Sequence, residues 1–428
     1  MDSVVQQLLD LRLALRKDEV WRNVDFSDVL TDNLCRPNPE DRAEASYHCN
    51  IPNLNAVRLT AVNGYCRQPL QRLDNGVVMG GLRDAMAQCP QLVEKVLGKC
   101  VVRPNGYQQV NEEHFSDGLF VYVPDNTVVD TPVQLQSLVS SSTGLFIQVR
   151  NVVFVGRNSK ASFVHCDDSH DDNQSFSNNV TEILMGENAH VEHYKMQNLN
   201  DRSGLLNHTY IRMGDHATLR SHNITLNGGS IRNHTEIRMD GEGCDTEAHG
   251  LYLIDKEQKA DNYVFVEHSH PHCVSRELFK GIMDDGASAV FNGHVLVCDG
   301  AVKTEAYQSN KNIMLTDKAT VNTKPFLEIY NDDVKCSHGS TIGQLDEQAL
   351  FYIRSRGISE RTAKTLLLYA FCDEVLQKIE LESLRESLMD LVKKRLHGEL
   401  TPCSECALHC GAPCNGPEAK FEIDPSRL

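Results

Sequence analysis

Turns that recur at nearly even spacing through the middle of this chain constrain its fold more than any other feature. The segments 154-FVGRNSKASFV-164, 184-LMGENAHVEHY-194, 212-RMGDHATLRSH-222, 282-IMDDGASAVFN-292 and 315-LTDKATVNT-323 share one grammar. An aliphatic residue or Met ends a strand, Gly or Asp with polar neighbours makes the turn, and the strand restarts after Ala. The first three turns fall at Gly156, Gly186 and Gly214, steps of 30 and 28 residues, and the later ones are less regular. That step is the size of one solenoid coil. A single coil cannot bury its inward face, whereas stacked coils share a continuous aliphatic core and pair their backbones coil to coil. The alternation from Val191 to Met196 fits one face inward and one outward. The pattern predicts a mainly β chain built on a parallel β-helix, with a β-sandwich as the rival.

The period changes at both ends of this region. Residues 1–115 read as a mixed region, with helical spacing at 4–17 and 80–98 around strand-like runs such as 56-AVRLTAVNG-64. Period two takes over near 117-DGLFVYVP-124, which sets an expected β-helix over 116–345. At Asp346 helical spacing returns. Asp346 caps a helix that stops at Gly357, and Ser359 caps a second with Ala363, Leu366, Leu367, Ala370 and Phe371 inward. Leu384, Leu388, Leu391 and Leu396 mark a third, giving a C-terminal helical domain over 346–398. Residues 399–428 form a tail rich in Pro, Gly and Cys.

Composition excludes several classes. A net charge of −17 argues against nucleic-acid or anionic-membrane partners, which need a local excess of Lys and Arg. No run of about 18 apolar residues occurs, so no membrane span is expected. Asp10, Arg12 and Arg16 interrupt the apolar residues of the first helix, which excludes a signal peptide and predicts a cytoplasmic protein. The sequons at Asn179, Asn207, Asn223 and Asn233 then read as strand and turn chemistry. Fifteen cysteines in such a setting do not imply a disulfide framework, and Cys35, Cys89 and Cys298 read as small buried hydrophobes.

Four clusters could carry chemistry. Cys336 and His338 stand two residues apart in 333-DVKCSHGSTIGQLD-346, on one face if the segment is a strand. Two donors do not hold a metal tightly, so a functional pair needs groups from a partner; on spacing alone a packed Cys and a hydrogen-bonded His at a strand end is the favoured reading. The stretch 267-EHSHPHC-273 suggests zinc ligands, yet it lacks a second ligand group at finger spacing and reads as solvated loop histidines. The acidic 167-DDSHDD-172 lacks the Gly and terminal Glu of a calcium loop and reads as a solvated turn. In the tail, Cys403, Cys406, Cys410 and Cys414, with His409 among them, could chelate zinc or an iron–sulfur cluster. Motifs for phosphate loops, dinucleotide binding, zinc proteases and serine nucleophiles are missing from the sequence. That favours a scaffold over an enzyme.

The stretch 279–359 closely resembles the SufB/SufD family of iron–sulfur cluster assembly scaffolds. The resemblance rests on FNG at 291–293, KTEAYQ at 303–308, TKPFLEIYNDDVKCSHG at 323–339, GQLDEQALFYIRSRGI at 343–358 and GLFVYVP at 118–124. KCSHG before GQLD resembles the SufD side of that family. The resemblance implies a right-handed parallel β-helix and a non-catalytic subunit with no tightly bound cofactor of its own. It also implies a SufB-like partner on the strands around 323–342 and the ATPase SufC on the helices of 346–397. His338 matches the family histidine at the subunit interface where the nascent cluster forms, with Cys336 beside it. Self-pairing into a homodimer is a further expectation for the isolated chain. The family extends nothing to the four-Cys tail, so an independent metal or cluster carrier is the alternative function. A carbohydrate-active β-helix enzyme is weaker still, because Asp284 and Asp285 could supply paired carboxylates only as turn residues.

Overall fold

The computed structural model describes residues 3–15, 17–39 and 51–396. Two ten-stranded sheets lie face to face, and beyond Val123 successive strands alternate between them. Leu145–Val155 pairs in parallel with Ser175–Met185, while Lys160–Ser169, which lies between them in sequence, pairs in parallel with His190–Asn198. The same rule carries the chain to Val334–Gly343, giving a parallel β-solenoid of about eight turns. Antiparallel pairs are confined to the short strands between Val57 and Val123, which excludes the sandwich.

The inward residues stack in columns. Val153, Ile183, Ile211, Ile237, Val266, Val295 and Leu327 follow one another in register through seven coils of one sheet. Burying each such side chain contributes roughly 1.5–3 kcal/mol. At the turns the glycines are required because coil sits directly on coil. A Cβ on Gly156 would lie 2.5 Å from the Asp125 backbone nitrogen, and one on Gly241 would lie 2.1 Å from that of Asp215. The asparagines beside them form a ladder, Asn188 Nδ2 donating to Asn158 Oδ1 at 3.1 Å and Asn158 Nδ2 to Asn126 Oδ1 at 3.0 Å.

Both outer faces are covered over much of their length. The N-terminal segment lays Trp21, Phe26 and Tyr107 against Phe146, Phe176 and Leu206 of one sheet. On the other sheet, Tyr194, Met196, Ile224 and Leu251 pack under Leu368, Val375, Leu384 and Leu388 of the C-terminal helices. Val191–Met196 is consequently buried on both faces, although its inward and outward sets alternate as expected.

Several local expectations need correction. The 80–98 helix splits into Leu82–Gln88 and Pro90–Val93, because Pro90 has no N–H to continue the first and starts the second. Helices Glu347–Ser355, Glu360–Leu376 and Glu382–Leu396 follow, and Asp346 and Ser359 cap the first two. The second buries Ala363, Thr365, Leu368, Cys372, Val375 and Leu376, a face displaced from the one expected, since the LLLYAF run offers apolar residues on several sides. The 167–172 stretch begins inside the solenoid: Asp167 and Asp168 are buried strand residues, and Asp167 Oδ2 meets Lys195 Nζ at 2.7 Å from the adjacent coil. In 267–273, His268 and Cys273 are buried at the ends of the turn, and His268 Nε2 lies 2.9 Å from Ser275 Oγ. Cys89 is buried as expected, whereas Cys298 is half-buried and Cys35 exposed.

Candidate functional site

The last coil ends both sheets. Among the described residues its strands, Thr320–Ile329 and Val334–Gly343, each pair on one side only, leaving a row of backbone N–H and C=O groups along each outer edge. Phe326, Ile329, Tyr330 and Ile342 are exposed around this mouth. Across it, the Thr323 and Ser340 hydroxyls meet at 2.8 Å.

Register places the two sequence candidates here. Cys336 pairs with Ala306 and His338 with Gln308. Ala306 belongs to the aliphatic core and Cys336 packs against that same cluster, so this alternate set of residues faces the solenoid interior. At the final coil that interior is open. Cys336 is half-buried and His338 exposed. Burial pushes the Cys336 thiol up, so it stays protonated at neutral pH until a metal or base draws the proton off.

Beneath His338 the column continues through Gln308 to Glu277. Gln308 Nε2 donates to Glu277 Oε2 at 2.8 Å, and both side chains are buried. Burial drives the Glu277 carboxyl up to about 8, which keeps it protonated and neutral at pH 7. Gly293 makes room from the facing sheet: a Cβ there would sit 2.3 Å from Gln308 Nε2. FNG, KTEAYQ and KCSHG thus converge on one stack under the open end. Sequence reasoning missed Glu277 and Gln308, though their signal was present in the one-coil spacing of 31 and 30 residues up to His338.

On the outer face of these strands a groove of about 550 Å³ separates the sheet from helix Glu360–Leu376, with His249, Arg276, Tyr307, Glu374 and Lys378 among its walls. Nearby, helix Glu347–Ser355 buries none of its residues and leaves Phe351 and Tyr352 75% and 59% exposed. The four tail thiols, Cys403, Cys406, Cys410 and Cys414, lie outside the described residues. Among the described residues, no helix is long and apolar enough to cross a membrane.

An end-open parallel β-solenoid, with a thiol and an imidazole at its mouth and an unburied amphipathic helix beside it, defines the class of this chain. Residues 138–371 match the family described as SUF system FeS cluster assembly, SufBD core domain, and residues 2–135 match the SufBD protein N-terminal region. An iron–sulfur cluster assembly SufBD family protein of Synechocystis is 31% identical over 398 residues, covering 90% of this chain and 88% of that protein. The iron–sulfur cluster assembly protein SufD of Escherichia coli is 37% identical over 216 residues, 50% of this chain and 51% of the relative. SufD of Bacillus subtilis is 26% identical over 345 residues, 76% and 75% of the two chains. The chain belongs to the SufBD family of iron–sulfur cluster assembly proteins.

Proposed function

We propose that this chain is a non-catalytic, SufD-like scaffold subunit that pairs with a SufB-like subunit through its last coil and holds a SufC-like ATPase on its C-terminal helices. The single observation that carries the pairing is the pair of free strand edges at Thr320–Ile329 and Val334–Gly343, ringed by exposed apolar side chains. A matching edge from another chain would satisfy those backbone groups and cover Phe326, Tyr330 and Ile342. His338 and Cys336 then face the seam, where they and the partner's groups together hold the nascent cluster, the cargo of the complex. Phe351 and Tyr352 supply the apolar anchor for the ATPase. Nucleotide-driven motion of that ATPase would pull on the helices, and the rigid solenoid would pass the strain to the seam. In this reading the chain works in the cytoplasm, divided as 1–115, 116–345, 346–398 and 399–428.

Co-expression with SufB-like and SufC-like subunits tests the reading. The wild-type complex should form clusters seen by their visible absorption. His338→Ala should keep the three subunits together while reducing cluster yield by roughly 10-fold or more, as for loss of a metal-site group. Normal yield from the His338→Ala complex would remove the site assignment. In the same preparation, Phe351→Asp with Tyr352→Asp should release the ATPase while leaving the SufB-like subunit bound; retention of both would refute the helical docking site.

A further inference from the structure

On the outer face of the solenoid, far in sequence from the open coil, three donor side chains converge. His190 and Glu192 begin the strand His190–Asn198 and share its outer face, two residues apart. Glu380 reaches them from the turn between helices Glu360–Leu376 and Glu382–Leu396. One ligand atom from each lies within 4.8 Å of the others. We propose that His190, Glu192 and Glu380 form a site for a divalent first-row metal ion that fastens the C-terminal helices to the solenoid.

The geometry fits an ion better than it fits the side chains alone. His190 Nε2 and Glu192 Oε1 stand 3.6 Å apart, too far for a hydrogen bond, and among the described residues that buried nitrogen has no hydrogen-bond partner. Two donors bound at about 2.0–2.2 Å to one ion sit about 3–4 Å apart, so the His190–Glu192 pair already fits and an ion draws the half-exposed Glu380 carboxylate in by about an ångström. Glu192 is buried and firmly oriented: Tyr194 Oη donates to its Oε2 at 2.9 Å, and the Glu380 backbone N–H donates to Tyr194 Oη at 3.1 Å. The hydrogen bond to one ligand thus also fixes the turn that carries another, an outer arrangement typical of built metal sites. One imidazole and two carboxylates suit zinc, ferrous iron or manganese and leave positions for water.

The competitor is on the page as well. Lys160 Nζ lies 3.2 Å from Glu192 Oε1, with its side chain 46% exposed, and Arg220 Nε lies 3.8 Å from Glu380 Oε1. An entering ion displaces the Lys160 ammonium into solvent, which gives the site a signature that a purely structural ion pair lacks. Removing Lys160 should tighten metal binding.

Manganese is the probe, because it favours carboxylate and imidazole over the thiolates elsewhere in the chain. Free Mn²⁺ is counted by electron paramagnetic resonance as it is titrated into the full chain. The wild type should take up one equivalent, and Mn²⁺ should raise its thermal midpoint. Glu380→Gln, at a half-exposed turn, should weaken binding about 10-fold or more and abolish the midpoint shift. Glu192→Gln should do the same, and Lys160→Gln should bind more tightly than wild type. Should Glu192→Gln fail to fold, Glu380→Gln and Lys160→Gln decide alone. Absence of uptake by wild type at millimolar Mn²⁺, or equal affinity in Glu380→Gln and wild type, overturns the site. The titration needs no partner subunit, so its outcome is independent of the proposed seam.

Discussion

Replacing Arg150 by Met should lower the unfolding free energy by about 3–5 kcal/mol, the range seen when one partner of a buried ion pair is removed. Neither Arg150 nor Glu182 has any side-chain exposure, and Arg150 Nη2 and Nε reach the same carboxylate oxygen at 2.6 and 3.1 Å. That carboxylate does more than neutralise a charge. Its two oxygens also accept the Gly98 and Cys100 backbone N–H groups at 2.8 and 2.9 Å, tying the N-terminal region to the second described coil. Without the guanidinium a carboxylate is left dry and unpaired, and its desolvation is no longer offset. Glu182→Gln should destabilise less than Arg150→Met, because an amide keeps an acceptor for the loop, but it still strands the guanidinium. An internal control separates this from generic loss of charge. Lys324 and Glu19 also form an ion pair, but both are about half exposed or more, so Lys324→Ala should leave the midpoint nearly unmoved. Urea denaturation followed by the fluorescence of Trp21 provides the measurement, since that ring is buried against Tyr107 and His234 and is the only tryptophan in the chain. Equal midpoints for wild type and Arg150→Met would show that the pair is energetically idle.

The Arg150–Glu182 pair also shows where a linear reading stops. The solenoid was legible because its rule is local: a tight turn recurs where coil meets coil, and Gly156, Gly186 and Gly214, where a Cβ would strike the neighbouring coil, mark the step. The C-terminal helices were legible through their caps, Asp346 and Ser359, whose side chains accept the expected backbone N–H groups. The polar interior was not legible, because each charged residue finds its partner one coil away. Asp167 meets Lys195, and Arg150 meets Glu182 across 32 residues. Read along the chain, 167-DDSHDD-172 is simply an acidic run, and only the packing of the coils buries its first two residues. The candidate site divides in the same way. Spacing alone favoured packing over chemistry for Cys336 and His338, whereas register puts them on the inward face of a coil above which no described strand is stacked.

Stability should peak near neutral pH and fall by roughly 4 kcal/mol per pH unit at most between pH 6 and 5. Six of the buried histidines, His165, His193, His208, His222, His234 and His249, lie within or against the solenoid. Burial first, and neighbouring cationic or imidazole groups second, hold all six below the ordinary histidine range, His193 and His249 at about 3. In the unfolded chain each accepts a proton near pH 6.5, so below that pH the unfolded state binds protons that the folded state refuses. Each such proton removes about 1.4 kcal/mol of stability per pH unit. Three carboxyls oppose the trend. Burial raises Glu277 to about 8 and Glu236 and Asp168 to about 7, so the folded state keeps protons that the unfolded chain releases down to the ordinary carboxyl range. Their contribution grows as pH falls from 8 and keeps growing down to the ordinary carboxyl range, so it still opposes the histidines between pH 6 and 5. Six protons on the unfolded side against three on the folded side leave a net of about three, which sets the slope, and Asp167 and Asp261, raised in the same direction, trim it. Urea midpoints at pH 7, 6 and 5 in one buffer system test the sign. A midpoint that holds constant or climbs from pH 7 to 5 would mean that the buried imidazoles are charged in the folded protein, and the packing of His222 against His249 at 3.2 Å could not then be that of two neutral rings.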